Sequence, residues 1–195
     1  MQEKSPRTQA QRRAATQAAL IGVARDLFAR HGFAGVGAPE IAQAAGVTRG
    51  AITHHFKDKT GLFHAVVTAE AETVGAALAA LPPGDMAGAV RHWFAVMEQP
   101  GRARILLIDG PAVLGAAEIA RIDAATGAAE LGDGLAEMLP GMAAPDLAAL
   151  TEILSAGFDR AALRIAEGAP PAPYITALLG LIEGLRQQVR PGQPG

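Results

Sequence analysis

No cysteine occurs among the 195 residues. Disulfide scaffolds, thiolate zinc sites and thiol redox sensing are thereby excluded. Aromatic residues make up 4% of the chain, with one tryptophan and one tyrosine, so few rings are at hand to sandwich a flat ligand. Uninterrupted apolar runs of about 18 residues are missing, and no membrane span is expected. Met1–Arg13 is polar and basic without an apolar core, so it does not read as a signal peptide, and a reducing cytoplasm is the expected location. Alternating β-branched runs are absent as well, which argues against strands.

What is present favours a helical globule. Half of the residues are hydrophobic and 18% are charged, a balance that can bury a core. Alanine, leucine and glycine dominate. The net charge of −2 hides an asymmetry. Residues 1–64 hold nine Lys and Arg against four Asp and Glu, or +5; the rest holds eight Arg against fifteen acids, or −7. His31, His54, His55 and His64 also lie in the basic part. One end is thus suited to a polyanion and the other is not.

The apolar spacing predicts an all-α chain. An arm over residues 1–10 precedes a first helix, Gln11–His31, with a stripe of Leu20, Ile21, Ala24, Leu27 and Phe28. Short helices are expected at Ala38–Ala45, with Gly37 and Pro39 at its start, and at Arg49–Phe56, with Thr48 as N-cap. Asp58 should cap a long fourth helix reaching Ala80, and Asp85 a fifth that ends at Pro100-Gly101. Beyond these, helices are read at Arg102–Ile108, Leu114–Leu139, Pro145–Glu167 and Pro173–Val189, with Asp109-Gly110-Pro111 as a turn. The domains are placed at 11–58, extending into the start of the fourth helix (59–81), and at 82–190, with a tail over 191–195.

Glu40–Ile52 follows the logic of a helix-turn-helix. Two helices must cross closely through a turn of three or four residues. Ala42 is small enough for the crossing, Gly46 can adopt a left-handed backbone, and Ile41, Val47 and Ile52 can share a seam. The same pattern also fits an ordinary helical hairpin. Around the third helix stand Arg49, Lys57 and Lys59, with Thr53, His54 and His55 as further hydrogen-bonding groups. Such side chains suit phosphates and base edges. A hydrolase or metalloenzyme built on His54, His55 and His64 is disfavoured. Adjacent histidines on a helix diverge by about 100°, and no nucleophile motif, phosphate loop or dinucleotide fingerprint occurs. No enzyme activity, cofactor or metal is therefore assigned.

Residues 14–67 resemble the N-terminal domain of the TetR (tetracycline-repressor) family. The resemblance rests on Ala24-Arg25-Asp26-Leu27-Phe28, His31-Gly32-Phe33, Ile41-Ala42, Ala45-Gly46-Val47-Thr48, Gly50-Ala51-Ile52, His55-Phe56 and Lys57-Asp58-Lys59 with Leu62. It implies an all-helical dimer whose N-terminal domains bind an operator in double-stranded DNA, and whose C-terminal domains dimerise and bind a small molecule that relieves repression. By position, Phe28 and Phe56 become core residues, Thr48, Arg49 and Gly50 open the recognition helix, and His55 and Lys59 face phosphate. Thr53 stands where the family usually has tyrosine, and Val36-Gly37 replace the usual Thr or Ser before the second helix. Arg104–Gly115 resembles a TetR subgroup as well. Trp93, Phe94, Met97, Met138, Phe158 and Tyr174, with Arg104 and Asp109, are the residues considered for the ligand pocket, although ring residues at helical spacing equally suit a core. Leu147, Leu150, Leu154, Ala161 and Ile165, then Leu178, Leu181, Ile182, Leu185 and Val189, give the last two helices stripes that could pair subunits in a four-helix bundle.

Overall fold

A computed structural model describes residues 8–189. These residues form helices joined by short turns, with no strand among them, as the missing period-two pattern predicts. Two compact units divide the chain after Thr68, inside the fourth helix.

In the first unit, α1 spans Gln9–His31, α2 Ala38–Ala44 and α3 Arg49–Phe56; α4, Lys59–Ala79, begins there. α1 starts two residues before the expected Gln11. Thr8 accepts a hydrogen bond from Gln11 N while the Gln11 side chain accepts one from Thr8 N, a reciprocal cap that draws Gln9 and Ala10 into the helix. Residues 1–7 of the expected arm lie outside the described residues. Leu20, Ala24, Leu27 and Phe28 form the buried face of α1. Phe28 meets Phe63 edge-on at 5.1 Å, and Phe33 lies 4.9 Å from Phe63. Of the two phenylalanines expected in this core, Phe28 is fully buried and Phe56 only partly so. Phe63, on the inward stripe of α4, fills the centre that Phe56 was expected to share.

The second unit holds the remainder of α4 and seven further helices: α5 Met86–Met97, α6 Arg102–Arg104, α7 Gly110–Leu114, α8 Ala116–Ala124, α9 Gly127–Met138, α10 Ala144–Ala166 and α11 Pro171–Val189. Asp85 caps α5 through Gly88 N at 2.8 Å. The expected turn at Asp109-Gly110-Pro111 is not a turn. A π-helical turn, Ile105–Asp109, joins α6 to α7, and Gly110 N donates to Ile105 O five residues back. Pro111 cannot supply the next helical N–H, and the wider turn absorbs that loss without breaking the rod. A Cβ on Gly110 would stand 2.9 Å from Ile105 O, so glycine is required by space. The single helix expected over Leu114–Leu139 is two: Gly115, at φ 87°, precedes α8, and Ala125-Thr126 separates α8 from α9. Thr126 packs closely on the α4 backbone, where a Cβ on Gly75 would come within 3.2 Å of it.

The core of this unit gathers Val90, Phe94, Leu135, Leu139, Leu154, Phe158 and Ile182. One window of α4 reaches a mean hydropathy of 1.2, enough by composition for a membrane span, but 44% of it is buried in the protein. A core helix meets the same test.

Candidate nucleic-acid interface

The crossing of α2 and α3 is built from small and apolar residues. Ile41, Ala42 and Ile52 are buried, and Val47 is partly so. Gly46 turns the chain at φ 65°, in the left-handed region that a side chain disfavours. Val47 N donates to Ala42 O at 3.0 Å and closes the turn. α3 is thereby fixed against α2 by one face, and its other face is left to solvent.

That outer face carries Arg49, Gly50, Thr53 and His54, all exposed. Thr48 occupies the N-cap position with extended backbone, but its hydroxyl makes no capping hydrogen bond. Lys57 ends the helix at φ 73° and is exposed. For a residue with a Cβ this backbone is costly, by about 1 kcal/mol or more.

Two of the eight residues differ from a simple outward fringe. Lys59 points back into its own unit. Its ammonium donates to Phe33 O at 3.0 Å and Val36 O at 2.9 Å, and sits 3.9 Å from the centre of the Phe33 ring. It ties the start of α4 to the turn between α1 and α2. Lys59 opens α4 as expected, and two of its three N–H donors are committed within the unit. His55 is partly buried, and its Nδ1 has no hydrogen-bond partner. Burial, then the neighbouring His54 and Arg13, hold its pKa below the ordinary histidine value. Its ring lies 5.0 Å from that of His54. Neither Lys59's inward bonds nor the Nδ1 burial has a local sequence signal, because the partners of Lys59 lie 26 and 23 residues away.

The residues considered for a ligand pocket divide. Trp93, Phe94, Phe158, Met138 and Tyr174 pack in or against the core of the second unit, with the Trp93 and Phe158 rings 5.1 Å apart. Phe94, Met97 and Arg104 line a cleft of about 330 Å³. Asp109 pairs with Arg104 at 3.3 Å. The remaining walls include Glu98, Gly101, Ala162 and Ala166, small or polar residues that an eye for large side chains passes over.

The comparisons with known proteins follow the same division. Residues 20–66 match the model of bacterial regulatory proteins of the tetR family, and residues 85–187 match that of the tetracyclin repressor-like C-terminal domain. The chain is similar to the HTH-type transcriptional regulator AcrR of Shigella flexneri, with 43% identity over 60 residues, which are 31% of this chain and 28% of that protein. It spans between 28% and 34% of the length of this and two further curated relatives. Across both units it resembles the crystal structure of a TetR-family transcriptional regulator from Pectobacterium atrosepticum, with 26% identity, a TM-score of 0.64 and coverage of 94% of this chain and 97% of that one. The complex of RolR with its ligand resorcinol is similar too, at 25% identity and TM-score 0.63 over 96% of this chain and 99% of that one. With both halves matched in order and the helices laid out to suit, the chain belongs to the tetR family of bacterial regulatory proteins.

Proposed function

We propose that this protein is a DNA-binding transcriptional repressor, a homodimer released from a palindromic operator when a small molecule binds. The observation that carries this reading is the exposed row Arg49, Gly50, Thr53 and His54 on α3, presented by the Gly46 turn. The α3 helix enters the major groove, where Arg49 reaches base edges and Thr48, Lys57 and His55 meet the backbone. Lys59 positions that surface from within the unit, through its bonds to Phe33 O and Val36 O.

The homodimer forms through α10 and α11. Ile153 on α10 and Leu181 on α11 are 68% and 59% exposed, large apolar side chains that a second copy can cover. Twofold symmetry then sets half-sites about 34–36 Å apart, or a multiple of that. The effector is a small molecule held in the second unit; RolR, whose complex holds resorcinol, supports that class of regulation. A ligand that prefers the DNA-incompetent state lowers affinity by its differential binding, and about 1–3 kcal/mol of coupling changes occupancy severalfold or more. Action in the cytoplasm without catalysis is part of this reading.

Footprinting on the DNA upstream of the protein's own gene tests it. The expected result is a protected, twofold-symmetric segment whose affinity falls steeply with salt. No protection at low ionic strength would overturn the proposal.

A further inference from the structure

The cleft in the second unit lies between the last turn of α5, the Gln99–Gly101 turn, the start of α6 and the end of α10. Its walls are Phe94, Met97, Ala103, Ala162, Ile165 and Ala166, apolar and mostly small. Two charged side chains join them, Glu98 and Arg104. Arg104 already has a carboxylate partner, with Nε 3.3 Å from Asp109 Oδ2. Glu98 caps the C-terminus of α5 and is exposed. The C-terminal turns of two helices, α5 and α10, also end at this cleft, and helix C-termini carry partial negative charge. The start of α6 meets the same cleft with the opposite partial charge, so the helix ends offset one another, and with Arg104 paired to Asp109 the Glu98 carboxylate is the charge left over.

We infer that this cleft binds a small, largely apolar molecule bearing one positive charge, with its apolar body on Phe94, Met97 and Ile165 and its cationic group beside Glu98. This deepens, and rests on, the ligand-responsive reading above. The cleft is at the small end of ligand sites, which run from about 300 to 1,000 Å³.

Occupancy has a route to α4. Arg102 lies between Gly101 and Ala103, both in the cleft wall. Its own side chain turns the other way and is buried. Nε donates to Glu70 Oε2 on α4 at 2.8 Å, and Nη1 donates to Val96 O on α5 at 2.6 Å. The pair is 9% and 11% exposed. A molecule that spreads the Gly101–Ala103 wall moves Arg102, and the buried bond to Glu70 either passes that movement on or is lost at a cost. Glu70 therefore makes α4 respond to the cleft.

The single tryptophan, Trp93, adjoins Phe94 and serves as an energy-transfer donor to a dansyl group. The test titrates the full-length protein with dansylcadaverine, a cation, and dansylglycine, an anion with the same fluorophore. The expected result is saturable transfer at one site per chain for the cation, at least 10-fold tighter than for the anion. Glu98→Gln should erase that preference, and Ala166→Phe, at an exposed position, should weaken binding at least 10-fold while the circular dichroism is unchanged. On upstream DNA the cation should lower affinity severalfold in the natural chain, and not in Glu70→Gln, which still binds the probe. Equal binding of both probes, or binding untouched by Ala166→Phe, would overturn the assignment of the cleft. Probe binding as expected with the same loss of DNA affinity in Glu70→Gln would overturn the route through Arg102. If the chain ignored DNA from the start, the repressor reading would fail, while the fluorescence titration would still decide the cleft.

Discussion

Arg49 and Lys59 carry the same charge on the same small unit, yet their surroundings give them different work. Arg49 is exposed in the first turn of α3. Arg49→Ala should weaken specific operator binding by about 1–3 kcal/mol and relax preference at one base position, with no change in thermal midpoint, as read by gel shift and calorimetry. Lys59 is spent on two carbonyls and a ring. Lys59→Ala should therefore destabilise the first unit by about 2 kcal/mol and lower DNA affinity mainly by loosening α3, which denaturant titration alongside binding would reveal. An unchanged unfolding midpoint in this variant would contradict the positioning role. Lys57 offers the converse. Its φ of 73° makes Lys57→Gly favourable to folding by about 0.5–1 kcal/mol, while the loss of one cation should flatten the salt dependence of DNA binding by about one unit. A gain in stability with a loss of affinity is the expected pair of readings.

Between elements, the contact of α8 with α10 holds a carboxyl pair. Asp159 on α10 is driven up to about 7, chiefly by burial and then by Asp123 on α8. Asp123 is itself raised by burial, against hydrogen bonds from the Ala128 backbone and from Ser155. Because the folded pKa of Asp159 lies above the unfolded one, the folded chain holds more protons between roughly pH 4 and 7. Stability from this group is complete at acid pH and is lost as pH rises through about 7. Asp159→Asn should remove that slope and stabilise the protein at pH 8 by about 1–2 kcal/mol; thermal midpoints at pH 5 and pH 8 check it. Element boundaries followed local chemistry where that chemistry was strong. α3 runs over Arg49–Phe56 as its spacing predicts, and Asp85 caps α5. They departed where a breaker was absorbed. Gly110-Pro111 marks a turn in most sequences, but here the π-turn lets the rod continue. Conversely, the 114–139 segment divides at Thr126, because Gly75 on α4 admits its close approach, a contact invisible to helical periodicity.

For the molecule as a whole, two recognition helices act together only if the subunits pair. Leu181→Glu, alone or with Ile153→Glu, places charge on the proposed twofold face, where both positions are now exposed apolar groups. The variant should sediment as a monomer, keep its helical content, and lose operator affinity by about 100-fold or more, since each half-site would then bind without the effective concentration its partner supplies. A dimer that survives both substitutions would move the interface elsewhere.

The sequence by itself determined what acts over three or four residues: helix after helix from apolar spacing, the Gly46 turn, the Asp85 cap, the charge contrast between the two parts and the order of motifs that marks the family. Those features depend on backbone sterics and local hydrogen bonding, which neighbouring residues supply. Only the tertiary structure decided which charges are spent inside the fold, as with Lys59 on Phe33 and Val36 and Arg102 on Glu70, and which large side chains fill a core instead of lining a cleft. Those outcomes depend on partners 23 to 32 residues away, brought together by packing that no local pattern encodes.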